Sequence, residues 1–170
     1  FGVDGVVSGV GPLVKDGAGT MVLSGTNTYF GGTQIDAGVL QVTADANLGN
    51  ASGGVTFNGG VLATTGSFAS SRDMALLADG VFDVDASTTL DLDGVIAGAG
   101  DLVKRGGGTL VLTGANGYGD TTVEAGTLVG DSSSISGDIA NAGTVIFSQT
   151  TDATFAGDIV GLGSTDGVMI

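Results

Sequence analysis

The sequence predicts an all-β fold, a parallel β-helix (β-solenoid) of about eight coils, and three observations carry the prediction. They are a long internal duplication, apolar residues alternating between turn residues, and a composition rich in Gly, Asp, Val and Thr. Residues 3–42 return as residues 92–130; leaving out Gly32 aligns 39 pairs, of which 20 are identical. Self-similarity this long, with one gap, belongs to units that bury their apolar faces against neighbours in a stack. An antiparallel sandwich makes no such demand. Lys15 returns as Lys104, and a degenerate partial copy opens at Phe155, matching the stretch from Leu92. Both spacings approach whole multiples of about 21–22 residues, a workable coil length. Eight coils rising ~4.8 Å each make a rod of roughly 35–40 Å.

The elements follow from period-2 alternation between Gly, Asn and Asp turns, which reads as strands half-buried on a core. In order they are TMVLSG from Thr20, TQI from Thr33, VLQV from Val39, VTF from Val55 and VLA from Val61. VFDV from Val81, TLDLD from Thr89, TLVLTG from Thr109, TTV from Thr121, TVIF from Thr144 and ATF from Ala153 complete the series. No segment argues convincingly for a helix; SSRDMALLADG from Ser70 comes nearest and lies between strand-like runs. Phe1 enters directly into repeat sequence, and the chain stops on Gly-Val-Met-Ile170. A finished solenoid needs polar terminal coils, so residues 1–170 are expected to be a single segment of something longer.

Composition closes several function classes. The formal charge is −14, and the cations are Lys15, Arg72, Lys104 and Arg105. No basic patch exists to neutralise phosphates or to meet an anionic membrane surface. No apolar run approaches the ~20 residues of a spanning helix, and residue 1 does not open a signal peptide. With no His and no Cys, a Ser-His-Asp triad, a thiol nucleophile and the usual zinc sites are impossible.

The pattern G-x-G-x-L-V-K-x-G-x-G-T-[LM]-V-L-[ST]-G-x-N-x-Y, followed by T-x-[VI]-x-A-G-x-L, runs from Gly9 to Leu40 and from Gly98 to Leu128. It resembles the passenger-associated transport repeat, also called the autotransporter-associated β-strand repeat. Asn58 to Gly100 resembles the spacer between such repeats. The resemblance implies a secreted, surface-exposed passenger of a type V autotransporter in a Gram-negative bacterium, folded as a right-handed parallel β-helix. It also implies export by a C-terminal outer-membrane barrel outside this chain. The second copy has Asp120 where the first has the pair Gly31-Gly32, and the copy at Phe155 soon decays.

Candidate chemistry is sparse. Lys15 and Lys104 recur at one repeat position and read as structural rather than as bases for a serine. Asp83/Asp85 and Asp91/Asp93 are i,i+2 pairs, each projecting from one face of a strand. Stacked in neighbouring strands, they form a weak Ca²⁺ candidate or an acid pair; the simpler reading is a solvated outer face. The glycines of DGAGT from Asp16 and RGGGT from Arg105 are turn glycines, since no helix follows to hold a phosphate. Gly19, Gly38, Gly108 and Gly126 belong to the same structural repeat. Asn27 and Asn116 are expected to close turns through their own backbone, and Tyr29 and Tyr118 to cover the coil edge. Asn50-Ala51-Ser52 matches a glycosylation sequon, which chance explains.

The expected function is a non-enzymatic stalk segment of a surface-exposed passenger, supporting adhesion or display of a distal effector region and assisting export by folding outside the cell. No cofactor, nucleic acid or small-molecule substrate is expected. The alternatives are a direct adhesin or self-association module, binding a host glycan or matrix component, and a β-helical polysaccharide-degrading enzyme.

Overall fold

Alternation decides which way each side chain faces. In Val39–Val42, Leu40 and Val42 are buried while Val39 and Gln41 stay half-exposed; Gly80–Val84 likewise turns Phe82 and Val84 inward. The computed structural model describes residues 1–163 and 167–169, so Ile170 of the apolar terminus lies outside the described residues. Its strands stack in parallel into three sheets that form the sides of a solenoid.

The nine-stranded sheet runs Gly2–Val3, Thr20–Leu23, Val39–Val42, Val61–Thr64, Gly80–Val84, Leu102–Arg105, Thr121–Val123, Ile139–Asn141 and Ile159–Gly161. The five-stranded sheet holds Leu13–Lys15, Thr33–Ile35, Val55–Phe57, Met74–Leu76 and Ile96–Gly98. The six-stranded sheet holds Phe68–Ser70, Thr89–Leu92, Thr109–Leu112, Thr127–Gly130, Thr144–Phe147 and Gly167–Met169. The coil is therefore three-sided only in its middle. Before Phe68 the third side carries loops and one 3₁₀ turn, Asp45–Leu48; after Gly98 a different side carries loops.

About eight coils are present, as expected, but their length varies. Thr121 lies beside Ile139, whereas Val39 lies beside Val61, so the coil that leaves Thr121 is the shorter of the two. The longer coil accommodates the 3₁₀ turn. The spacing between the repeat copies is also not a whole number of coils. Lys15 belongs to the five-stranded sheet and Lys104 to the nine-stranded one. From Lys15 the register steps through Ile35, Phe57, Leu76 and Gly98, and the chain then advances one further side to reach Lys104. The partial copy behaves alike: Ile96 is in the five-stranded sheet and its match, Ile159, is in the nine-stranded one. Each copy is turned by one side, because the motif encodes a strand, a corner and a strand, and any side of the coil accepts that unit.

Ala153–Phe155 is not a strand. It passes along the side where the five-stranded sheet has ended, with no strand to pair among the described residues, and Phe155 packs its ring on Phe147 at 5.1 Å. Ser70 begins no helix either: Phe68–Ser70 and Met74–Leu76 are strands on two different sheets. Inside, like residues stack in columns. Leu40, Leu62 and Phe82 follow one another along the nine-stranded sheet, and Phe57 reaches Phe82 across the core at 4.9 Å. Each such side chain contributes about 1.5–3 kcal/mol by leaving water. Lys104 continues that column and is fully buried.

Candidate functional site

The polar residues of the repeat connect one rung to the next. Lys15 Nζ donates to the carbonyls of Asp16 (3.1 Å) and Gly17 (2.6 Å) on its own rung and of Ala37 (2.8 Å) on the next. Lys104 Nζ repeats this with Arg105 (2.6 Å), Gly106 (2.8 Å) and Ala125 (3.2 Å). A strand ending at a tight corner leaves carbonyls that no ladder satisfies, and a buried ammonium with three donors matches three of them. Gly38 and Gly126 complete the arrangement at φ +66° and +73°. A Cβ at Gly38 would strike the carbonyls of Gly17 and Gly19, and one at Gly126 those of Gly106 and Gly108. Gly19 and Gly108 thus lie directly against the next corner, where their carbonyls accept from Val39 and Thr127. Burial lowers the Lys104 ammonium from 10.5 to about 8, with Asp83 opposing the shift.

Asn27 and Asn116 do not close their own turns. Asn27 Oδ1 accepts from Val7 N (2.7 Å) on the preceding rung, and Nδ2 donates to Asn47 O (2.6 Å) on the following one. Asn116 bridges Ile96 N (2.8 Å) and Ser134 O (2.7 Å) in the same way. At a parallel corner the backbone groups of adjacent rungs point along the axis, so an amide there spans three rungs. Tyr29 and Tyr118 are buried rather than edge-covering, with hydroxyls on Thr33 Oγ1 (2.7 Å) and Thr121 Oγ1 (3.2 Å). Desolvation raises both phenols.

Two further sets were not anticipated from the sequence. Arg72 is buried beneath the third side of the early coils. Its Nε and Nη2 hold the Asp45 carboxylate (2.8 and 3.1 Å), and its remaining bonds go to the carbonyls of Asp45, Gly49, Asn50 and Gly53. Where no strand can supply a ladder, one guanidinium replaces it. The second set is an aspartate column. Asp79 accepts from Asp101 N, Asp101 from Asp120 N, Asp120 from Asp138 N and Asp138 from Asp158 N, at 2.8–3.2 Å. A sequence signal existed in the recurring Gly-Asp of Gly100-Asp101, Gly119-Asp120, Gly137-Asp138 and Gly157-Asp158.

The acidic pairs do not converge. Asp83 lies on the nine-stranded sheet beside Arg105, whereas Asp91 lies on the six-stranded sheet between Ala69 and Val111. Asp85 is exposed past the strand end, and Asp93 accepts from Thr113 Oγ1 at 2.9 Å. Among the described residues no three acidic side chains are grouped to hold a metal. Asp91 Oδ1 is buried with no hydrogen-bond partner among the described residues, and desolvation, then Asp93, raises its carboxyl. Arg105 instead pairs with Glu124 at 2.7 Å on the exposed surface, which lowers the glutamate. An open trough of about 440 Å³ runs past Asp120, Ser133, Asp138 and Phe155.

The repeated corners coincide with a known family. The passenger-associated-transport-repeat model matches residues 13–42 and 102–129, the two stretches that carry Lys15 and Lys104. Over 128 residues, 74% of this chain, the sequence is 42% identical to the Adhesin BmaC autotransporter of Brucella suis biovar 1 (strain 1330). The chain is an autotransporter passenger segment with associated repeats. It is secreted and surface-exposed, from a Gram-negative bacterium. The passenger segment spans 4% of that relative's length. No solved structure matches it.

Proposed function

We propose that the passenger segment is a non-catalytic stalk: one piece of a longer passenger β-helix that holds a distal binding or effector region away from the cell and aids export by folding rung upon rung outside. The observation that carries this reading is the direction of the side-chain bonds. Lys15, Lys104, Asn27, Asn116, Arg72 and the aspartate column all join successive rungs along the axis. Each rung that folds buries its Val, Leu and Ile and leaves an edge strand on which the next pairs, which opposes back-sliding through the exporting barrel. The relative is named an adhesin, and adhesion by the full passenger fits a stalk that presents a distal site.

A second reading, direct adhesion or self-association through the flank, draws on an outward column of Val39, Val61, Val81 and Val103 on the nine-stranded sheet. Binding to host cells and matrix components separates the two. The stalk reading expects this chain alone not to bind, and expects a full passenger in which other solenoid rungs of equal number replace it to bind normally. Binding by the isolated chain at the strength of the full passenger overturns it in favour of the module.

A further inference from the structure

Two Asn-Gly steps meet opposite surroundings in this fold. At Asn58-Gly59 both residues are exposed in the corner between Val55–Phe57 and Val61–Thr64. The Asn58 amide is held by one long contact, Nδ2 to Asp36 Oδ1 at 3.3 Å, and the Gly59 N–H has no hydrogen-bond partner among the described residues. At Asn116-Gly117 the amide is fixed at both ends, by Ile96 N and Ser134 O, and the Gly117 N–H donates to Ile96 O at 2.9 Å. We propose that Asn58 is a site of spontaneous deamidation in the folded passenger segment, and that the rung-to-rung bonds protect the same dipeptide at Asn116.

The reaction needs water alone. The Gly59 backbone nitrogen attacks Asn58 Cγ and loses its proton to solvent; the Cγ–Nδ2 bond breaks and the side-chain nitrogen leaves as ammonia. The resulting succinimide takes up one water at either carbonyl, giving aspartate or isoaspartate at position 58. Attack requires a side chain free to rotate toward a nitrogen whose N–H is not committed elsewhere, and glycine adds no Cβ to obstruct the approach. Both conditions hold at 58 and fail at 116. The product faces a neighbouring rung that already carries negative charge, because Asp36 Oδ1 lies against the lost amide and also accepts from Gln34 Nε2 at 2.7 Å. A donor–acceptor contact between rungs becomes a carboxylate pair, and isoaspartate adds a backbone methylene to the corner. The site therefore makes an aged flank more acidic and locally looser without any enzyme.

The experiment is peptide mapping by mass spectrometry, with isoaspartate detection, on the folded chain held in mildly alkaline buffer and on the same chain in denaturant. The folded chain is expected to convert at Asn58 more than about tenfold faster than at Asn116, the ratio that local opening against modest protection gives. In denaturant the two rates converge, and Asn58→Gln abolishes the folded-state product. Equal rates in the folded chain overturn the proposal, as does a folded chain that stays intact at Asn58 while the unfolded chain converts.

Discussion

Lys104 Nζ lies 3.2 Å from the carbonyl of Ala125, one rung further along the solenoid, and is fully buried among the apolar side chains of its column. Replacing Lys104 with Met keeps the stem and removes the donors. Three carbonyls in a half-buried corner then lose their partner, so Lys104→Met is expected to destabilise the fold by about 1–3 kcal/mol in urea unfolding. Lys15→Met is expected to cost less. Lys15 sits near the exposed first rung, where water reaches Asp16 and Gly17.

The same lysine sets a pH dependence. Its folded value, about 8, lies below the ordinary 10.5. Between those values the unfolded chain binds more protons than the folded one, so this group adds stability as pH rises through the window. The urea midpoint of the native chain should therefore climb between pH 8 and about 10 relative to Lys104→Met. Above that range Tyr29 and Tyr118 act in the opposite sense, since their raised phenols hold protons that the unfolded chain releases. A flat difference between the two proteins contradicts the assignment.

Asn116→Asp separates the bridge from mere size. The aspartate still accepts from Ile96 N but turns a carboxylate oxygen toward Ser134 O, where Nδ2 donated. It should cost about 1–3 kcal/mol, no less than Asn116→Ala, by chemical denaturation.

Arg72→Met removes the guanidinium that stands in for a strand. Asp45 and the carbonyls of Gly49, Asn50 and Gly53 lose their buried donor. A loss of about 3–5 kcal/mol is expected, with early proteolytic cleavage within 43–54. By contrast, a double-mutant cycle on exposed Arg105 and Glu124 should give about 1 kcal/mol or less.

Much of this fold was legible because a rung repeats its own chemistry. The alternation in Val39–Val42 and Thr109–Leu112 fixed which face goes inward, and the duplication fixed that rungs stack. Lys15 and Lys104 were recognisable as structural by recurring at one position, yet their partners were not. Those partners lie on the next rung, and which carbonyl sits there depends on a coil length that changes from one rung to another. The aspartate column was readable in principle from the spacing of Asp101, Asp120, Asp138 and Asp158, which tracks that length directly.

The sequence by itself determined the class of architecture, the family and the inward-facing set, because each depends on local periodicity and on like stacking over like. Only the tertiary structure decided which side of the coil each copy occupies, that Asp83 and Asp91 stand on different sheets, and that Asn27 and Asn116 reach along the axis rather than into their own turns. The physical reason is rotation about the axis. A slightly longer or shorter corner loop leaves every strand's local pattern intact, yet decides which distant residue lies directly above or below.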